Sequence, residues 1–440
     1  MSKILITGAG VDKTEGIDFP LANTLITDIA KFIVNEGADF NAALKESIPN
    51  LRFNLQRFIN AEINSLTSKD DHQLREIVEA IQSAITQIED DDDIHKKRGI
   101  VIVRLFEKLM AIQSSSQIDQ ETFDLIQEAF GNDYTDSDFV IDIHKMSLSE
   151  TFKSILKTTL QESLTANSNP ISSAISAKML DIEQLLVHKF LGFYNHHLSD
   201  VKSYIYISWL LWGFLVWKQQ QVLSNYQGQP LPFYGRLPTD ISAVTLNYTT
   251  FLKNVLPNNT TYFHGGLDEY VRMDTRQLIQ IENIDTINIT EFIVDFIRPN
   301  IYLEGTEFSR HKHVIPSLVP PLKLKPVLSQ KYIDLWSTSK ELIHHATKVV
   351  VIGYSFNDAD EHFNDIVRNG NTAHYDIIAP DALEDHFIER IEKVFGISSQ
   401  QLTTLKILGK DARSNNRIRL IKAYADELDI AELFKSNGAQ

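Results

Sequence analysis

The chain opens on Lys3–Thr7 (KILIT), an apolar run that passes straight into Gly8-Ala9-Gly10. A short Ile- and Leu-rich run ending in glycine reads as a buried parallel strand that feeds a tight turn and then a helix. Glycines let backbone approach closely, and N–H groups at a helix N-terminus favour negative charge. The turn is therefore a candidate seat for a pyrophosphate. The third glycine of the dinucleotide fingerprint is missing, however, and strands also end in glycine for turn reasons alone.

Four later segments have the same character: Ala243–Asn247 (AVTLN), Lys348–Gly353 (KVVVIG), Tyr375–Ala379 (YDIIA) and Leu405–Leu408 (LKIL). Continuous apolar runs of this length suit strands covered on both faces. Helical spacing marks Tyr332–Ala346, Ala359–Arg368, Ala382–Phe395 and Ser414–Leu428. Strand alternating with helix predicts an α/β fold with a doubly wound, Rossmann-like parallel sheet.

More than 200 residues separate the first strand from the second, and nearly all of them read as helix. The helical segments are Leu51–Leu66, His72–Ile88, Gly99–Ser114, Gln120–Phe130, Ser147–Thr165 and Ser173–Gly192, with Ile77, Ile81, Ile85 and Ile88 typical of the spacing. The expected organisation is an α/β domain over 1–35 and 235–440, with a helical insertion over 36–234 that serves assembly. A smaller irregular insertion, 267–325, leads into the proline-rich Val314–Pro326, whose prolines force an extended path.

The bulk properties narrow the function classes. The absence of cysteine excludes disulfides and thiolate zinc sites and fits a reducing, cytoplasmic setting. A net charge of −16 argues against a sequence-independent grip on nucleic acid. The most apolar stretch, Ile205–Trp217, is 13 residues long, short of the ~20 that a membrane helix needs. It reads as a buried core or oligomer-interface helix, and the size of the insertion points to a homo-oligomer. Glu89–Asp93 reads as a solvated loop, and His196-His197, His311 with His313, and His344-His345 read as surface or interface residues.

Polar segments fall at the strand ends, where doubly wound sheets place their ligand crevices. Leu246-Asn247-Tyr248-Thr249 follows the second strand, and Tyr262-Phe263-His264-Gly265-Gly266 comes soon after. Gly353-Tyr354-Ser355-Phe356-Asn357-Asp358-Ala359-Asp360 (GYSFNDAD) follows the KVVVI strand. Asn247 could equally cap the next helix, as could Ser355 and Asn357, and His264 could be a half-buried strand-end residue.

Taken in order, the GAG, GID, LNY, FHG, GYS and GKDA segments resemble the sirtuins, and within them a bacterial NAD-hydrolysing branch. The LNYT and HG elements are also similar to AbiH-type abortive-infection proteins. Gly16-Ile17-Asp18-Phe19 stands near the family's glycine-isoleucine segment, one residue short and without its arginine. The resemblance covers about 1–35 and 235–440 and implies a sirtuin-type fold that cleaves NAD+ to nicotinamide and ADP-ribose. It implies catalysis by Asn247 and His264, and NAD+ contacts from Gly8, Ala9, Gly10, Asp12, Asp18, Phe19 and Tyr248. Further contacts are implied for Gly353, Tyr354, Ser355 and Asn357, for Asp381, and for Lys410 and Asp411 in a late loop beside the adenine.

Deacylating sirtuins carry a four-cysteine zinc ribbon after the histidine, and here that place holds Leu267–Lys325 with no cysteine. Water is thus the expected acceptor, with no metal. An anti-phage role follows from the resemblance. So does an alternative in which the chain senses NAD+ or ADP-ribose without turnover, as a scaffold subunit beside a HerA-type ATPase. The chemistry suits the residue types. An asparagine amide can donate and accept at once, which positions a ribose hydroxyl or a water. A histidine, titrating near pH ~6.5 when unperturbed, can take the proton.

Overall fold

The computed structural model describes residues 3–21, 24–53, 58, 71–88, 93–111, 148–163, 169–179, 185, 189, 198–303, 312–319, 330–357, 360–370 and 373–435. The expected helices Leu51–Leu66 and Gln120–Phe130, most of Glu89–Asp93, His196-His197, His311 and the end of the proline-rich segment lie wholly or largely outside these residues.

Chain contacts divide the protein into two compact units. The first comprises Met1–Leu21, Asp39–Leu51 and Leu185–Gln440, and the second Ala22–Ala38 and Arg52–Gln184. The second unit is helical where described: Leu25–Val34, Asp71–Thr86, Asp93–Ala111, Leu148–Ser163 and Pro170–Met179. Its core includes Ile77 and Ile81 at the expected helical spacing, and Phe106 meets Phe152 edge to face at 4.6 Å between ring centroids.

The first unit is built on an eight-stranded, mostly parallel sheet. In chain order its strands are β1 (Lys3–Thr7), β2 (Ser242–Thr245) and β3 (Thr260–Tyr262). A separate antiparallel sheet holds β4 (Glu269–Arg272), β5 (Leu278–Gln280) and β6 (Val314–Pro316). The main sheet continues with β7 (Lys348–Ile352), β8 (His374–Ala379), β9 (Thr403–Ile407), β10 (Lys410–Ser414) and β11 (Ile418–Lys422). Its spatial order is β3-β2-β1-β7-β8-β11-β10-β9. All neighbours from β3 through β11 run parallel, whereas β10 is antiparallel to both β11 and β9.

The apolar strand runs are covered on both faces. Ile4, Ile6, Val244, Val349, Val351, Ile377 and Leu420 point into one cluster with Phe363, Phe387 and Ile391 from the helices Glu361–Arg368 and Asp385–Phe395. Their sequence neighbours Leu5, Val350, Ile378 and Ile421 are equally buried, as the period-2 alternation of a sheet requires.

The segment Ser414–Leu428, expected as a helix, instead completes β10 and forms β11 and a short 3-10 turn, Ala425–Glu427. Alternation decided it: Ile418 and Leu420 enter the core while Arg419 between them reaches the opposite face. The LKIL strand is real as β9, but it joins through an antiparallel hairpin rather than as a further parallel strand.

The stretch Ile205–Trp217 lies within a 29-residue helix, Leu198–Tyr226, in the same unit as the sheet. Trp209 donates its indole N–H to Val314 O at 2.9 Å and Trp212 to Leu267 O at 2.8 Å. These aromatics form internal core against the small sheet. Among the described residues, no helix is long and apolar enough to cross a membrane.

Candidate functional site

In a mostly parallel open sheet, ligands collect outside the C-terminal strand ends where the strand order reverses. Here the chain runs from β1 outward to β2 and β3, then returns to the other side of β1 with β7, β8 and β11. The reversal therefore lies between β1 and β7. At that point Gly8-Ala9-Gly10 packs directly on Gly353-Tyr354. A Cβ built on Gly8 would stand 2.6 Å from Gly353 O, and one on Gly10 would stand 2.8 Å from Gly353 Cα. Gly353 itself adopts φ +64, a conformation that favours glycine.

The close approach uses up the amides that made this turn attractive for a phosphate. Gly8 N–H donates to Ile352 O at 3.0 Å, Gly10 N–H to Gly353 O at 2.9 Å, and Val11 N–H to Gly8 O at 3.0 Å. The helix that follows is one turn, Ala9–Asp12. The two glycines are accounted for by strand-to-strand packing, and the expected row of exposed N–H groups is not present at them.

Asp12 closes that turn with its carboxylate turned inward and only 3% exposed. Oδ1 accepts from the Tyr234 hydroxyl in a very short contact. Oδ2 accepts from Asn247 Nδ2 at 3.1 Å and from Thr249 Oγ1 at 2.9 Å. Burial raises the carboxyl from its ordinary 3.8 to about 6, and these three hydrogen bonds only partly offset that rise. Burial above all, then the Asp12 charge, pushes the Tyr234 hydroxyl well above its usual range.

Asn247 stands two residues past the end of β2. Its amide also donates to Gly8 O at 3.1 Å, so Nδ2 bridges the glycine turn and the Asp12 carboxylate. It does not cap the next helix, Phe251–Val255, whose N-cap is Thr250.

His264 stands two residues past the end of β3, level with Asn247, because Thr245 pairs with Tyr262. It is 3% exposed, more deeply buried than a half-buried strand-end residue. Its Nε2 lies 3.0 Å from Asp360 Oδ1, at ion-pair distance but off the line of a well-formed hydrogen bond. The Tyr248 ring flanks it with centroids 6.2 Å apart, and Tyr248 donates its hydroxyl to Val319 O at 2.7 Å. Val319 N–H in turn donates to His264 O at 2.8 Å. Contacts thus run in a loop around the strand ends: Asn247 to Gly8, Gly8 to Gly353, the β7 loop to Asp360, Asp360 to His264, and His264 back to Tyr248.

Other expected ligand contacts separate into groups. Ala9, Gly10, Ser355 and Asn357 are exposed at the crevice loops, and Asp381 is half-buried after β8 with His386 at 3.0 Å. The Tyr354 side chain belongs to the core, its ring against Phe356 and Phe363 and its hydroxyl donating to Asn364 Oδ1 at 2.7 Å. Phe19 is likewise buried, edge to face with Phe251. Asp18 is exposed at φ +46, with Lys13 3.8 Å away.

Lys410 and Asp411 are corrected from loop to strand. They open β10, which β8 and β11 separate from β7, and they pair with Glu427 and Lys406 respectively. Sequence reasoning missed Tyr234 and Asp360. Asp360 stands at the end of the GYSFNDAD segment, but nothing local marks its partnership with a histidine after β3. Tyr234 carries no signal at all.

Among the described residues, no group of three or more His, Asp or Glu is arranged to hold a metal ion. The chain matches no protein-family model, no curated protein and no solved structure.

Proposed function

We propose that this protein is an NAD+ glycohydrolase of sirtuin-like type, releasing nicotinamide and ADP-ribose with water as acceptor. The observation that carries the reading is the buried pair His264–Asp360, which joins the residues beyond β3 and β7, with a second buried carboxylate, Asp12, tied to Asn247. A histidine oriented by a carboxylate at a strand-order reversal is the arrangement a general base requires.

In the proposed reaction the bond between the ribose carbon and the nicotinamide nitrogen breaks, and neutral nicotinamide leaves with the electron pair. The sugar carbon passes through oxocarbenium character, and the oxygen of water bonds to it. The water proton passes to His264, whose new charge Asp360 offsets. Asn247 holds the sugar or the water in place. A defence role through NAD+ depletion, a cytoplasmic setting, homo-oligomerisation and a HerA-type ATPase partner belong to the same proposal.

Incubating the full chain with NAD+ and resolving the products tests it. Nicotinamide and ADP-ribose should accumulate, and His264→Ala and Asn247→Ala should each stop this in chains that still fold, by far-UV circular dichroism at the assay temperature, although each melts lower for the buried partner it leaves unpaired. Undiminished turnover in both variants would discard the site. The near-complete burial of His264 favours a second reading, a site that binds the dinucleotide without turnover. Calorimetric NAD+ binding with no product over hours would select that one.

A further inference from the structure

Resting on the nucleotide reading of this crevice, we infer that Asp12 is a positioning residue. It fixes the amide of Asn247 so that Oδ1 meets the ligand, as an acceptor for a sugar hydroxyl.

Oxygen and nitrogen of an asparagine are told apart by their partners. Nδ2 lies 3.1 Å from Gly8 O and 3.1 Å from Asp12 Oδ2. Rotating the amide by half a turn would set Oδ1 against a main-chain carbonyl and a carboxylate at once, oxygen facing oxygen. Both amide hydrogens are therefore committed, and Oδ1 is the polar atom that these bonds leave unengaged. The side chain that sequence reasoning credits with donating and accepting can then only accept. A ligand group meeting it must donate, as a ribose hydroxyl does and as a phosphate or carboxylate oxygen does not.

Asp12 is itself held in register. Thr249 donates to the same Oδ2 at 2.9 Å, and Tyr234 donates to Oδ1. The other ionisable groups that act on Asp12 are Tyr234 and Tyr262, and burial keeps both hydroxyls protonated across the neutral range. The carboxylate therefore serves this cluster as an acceptor-only hub. Asp12→Ala should free the amide to rotate, while Asp12→Asn keeps one acceptor oxygen for it.

The test uses the full chain, with ADP-ribose and its analogues lacking one hydroxyl on the terminal ribose as probes, read by calorimetry. The wild type should bind ADP-ribose about tenfold or more tightly over one of the deoxy analogues, the scale of one buried hydrogen bond. Asp12→Ala should lose that preference, and Asp12→Asn should restore most of it. A second readout needs no ligand. With ¹⁵N-labelled asparagine, the Asn247 Nδ2 resonances should shift with a midpoint of about 6, following Asp12, and the shift should vanish in Asp12→Asn. A preference equal in wild type and Asp12→Ala, or Asn247 resonances indifferent to that titration, overturns the positioning role while leaving the nucleotide reading intact. No binding of either probe by the wild type overturns the nucleotide reading, and the inference with it.

Discussion

His264 Nε2 lies 3.0 Å from Asp360 Oδ1, with one residue arriving from the end of β3 and the other from the loop after β7. The two strands are not neighbours, since β2 and β1 lie between them. The pair therefore spans the width of the proposed crevice and couples its two walls.

If Asp360 orients the imidazole and offsets its charge, Asp360→Asn should lower nicotinamide release about 10- to 100-fold through kcat, with KM little changed. His264→Ala should cost more, within the ~100- to 10,000-fold typical of a lost general base. Steady-state kinetics on both variants checks the order. An Asp360→Asn variant as active as wild type would remove Asp360 from the mechanism.

The glycine contact between β1 and β7 makes a stability claim that is separate from catalysis. Gly353→Ala would force a side chain onto φ +64 with its Cβ 2.4 Å from Val11 N, a main-chain atom that cannot swing aside. The expected loss is about 2 kcal/mol or more, because strain and a backbone clash add. Gly396, the C-terminal cap of Asp385–Phe395, has φ +63 but no atom within 4 Å of its added Cβ. Gly396→Ala should cost only about 1 kcal/mol. Denaturant midpoints of the two variants separate close packing from backbone strain.

Asp12 gives a pH dependence whose sign follows from burial. Its carboxyl is raised in the folded protein to about 6, so the native state holds the proton more tightly than the unfolded chain does. The stability from this group is complete below its ordinary 3.8 and is lost as pH rises through about 6. The change is on the order of 3 kcal/mol. Asp12→Asn removes the titration. The melting temperature of the variant minus that of wild type should therefore become more positive between pH 4.5 and pH 8. A difference that is flat across this range would show that the carboxylate is not desolvated as the structure has it.

Much of this sheet is legible in the amino-acid sequence. KILIT, AVT, KVVVI and YDIIA are short, β-branched and buried on both faces, so their runs admit few other readings. The region after β9 is not, because Arg413–Lys422 mixes charge with short apolar runs that suit a helix face as well as a strand. The alternation of Ile418 and Leu420 about Arg419 reads as a strand only once Arg419 is paired with Asp376 on the neighbouring strand, a long-range contact with no local signature. The site divides the same way. Asn247 and His264 are visible because strand ends in such sheets carry function, whereas Tyr234 reaches Asp12 only through the folded chain. The glycines of the first turn are legible as a need for close approach. Whether a phosphate or the neighbouring strand meets that need is not.

The charge cluster shared by β7, β8 and β11 also permits a direct test. Asp376 is fully buried on β8, with both oxygens on Arg419 at 2.5 Å and Lys348 Nζ at 2.7 Å. Burial pulls Lys348 below its ordinary range even though the Asp376 charge opposes this. Removing the carboxylate by Asp376→Ala leaves two largely buried cations facing each other without their counter-charge. A broken buried ion pair of this kind costs about 3–5 kcal/mol. Replacing the cluster with apolar residues of similar volume, Asp376→Leu with Arg419→Met and Lys348→Met, should recover most of that loss, since desolvation of all three charges disappears together. Urea unfolding of the single and triple variants measures both. If the triple variant is no more stable than Asp376→Ala, the cluster holds strand register rather than merely balancing charge.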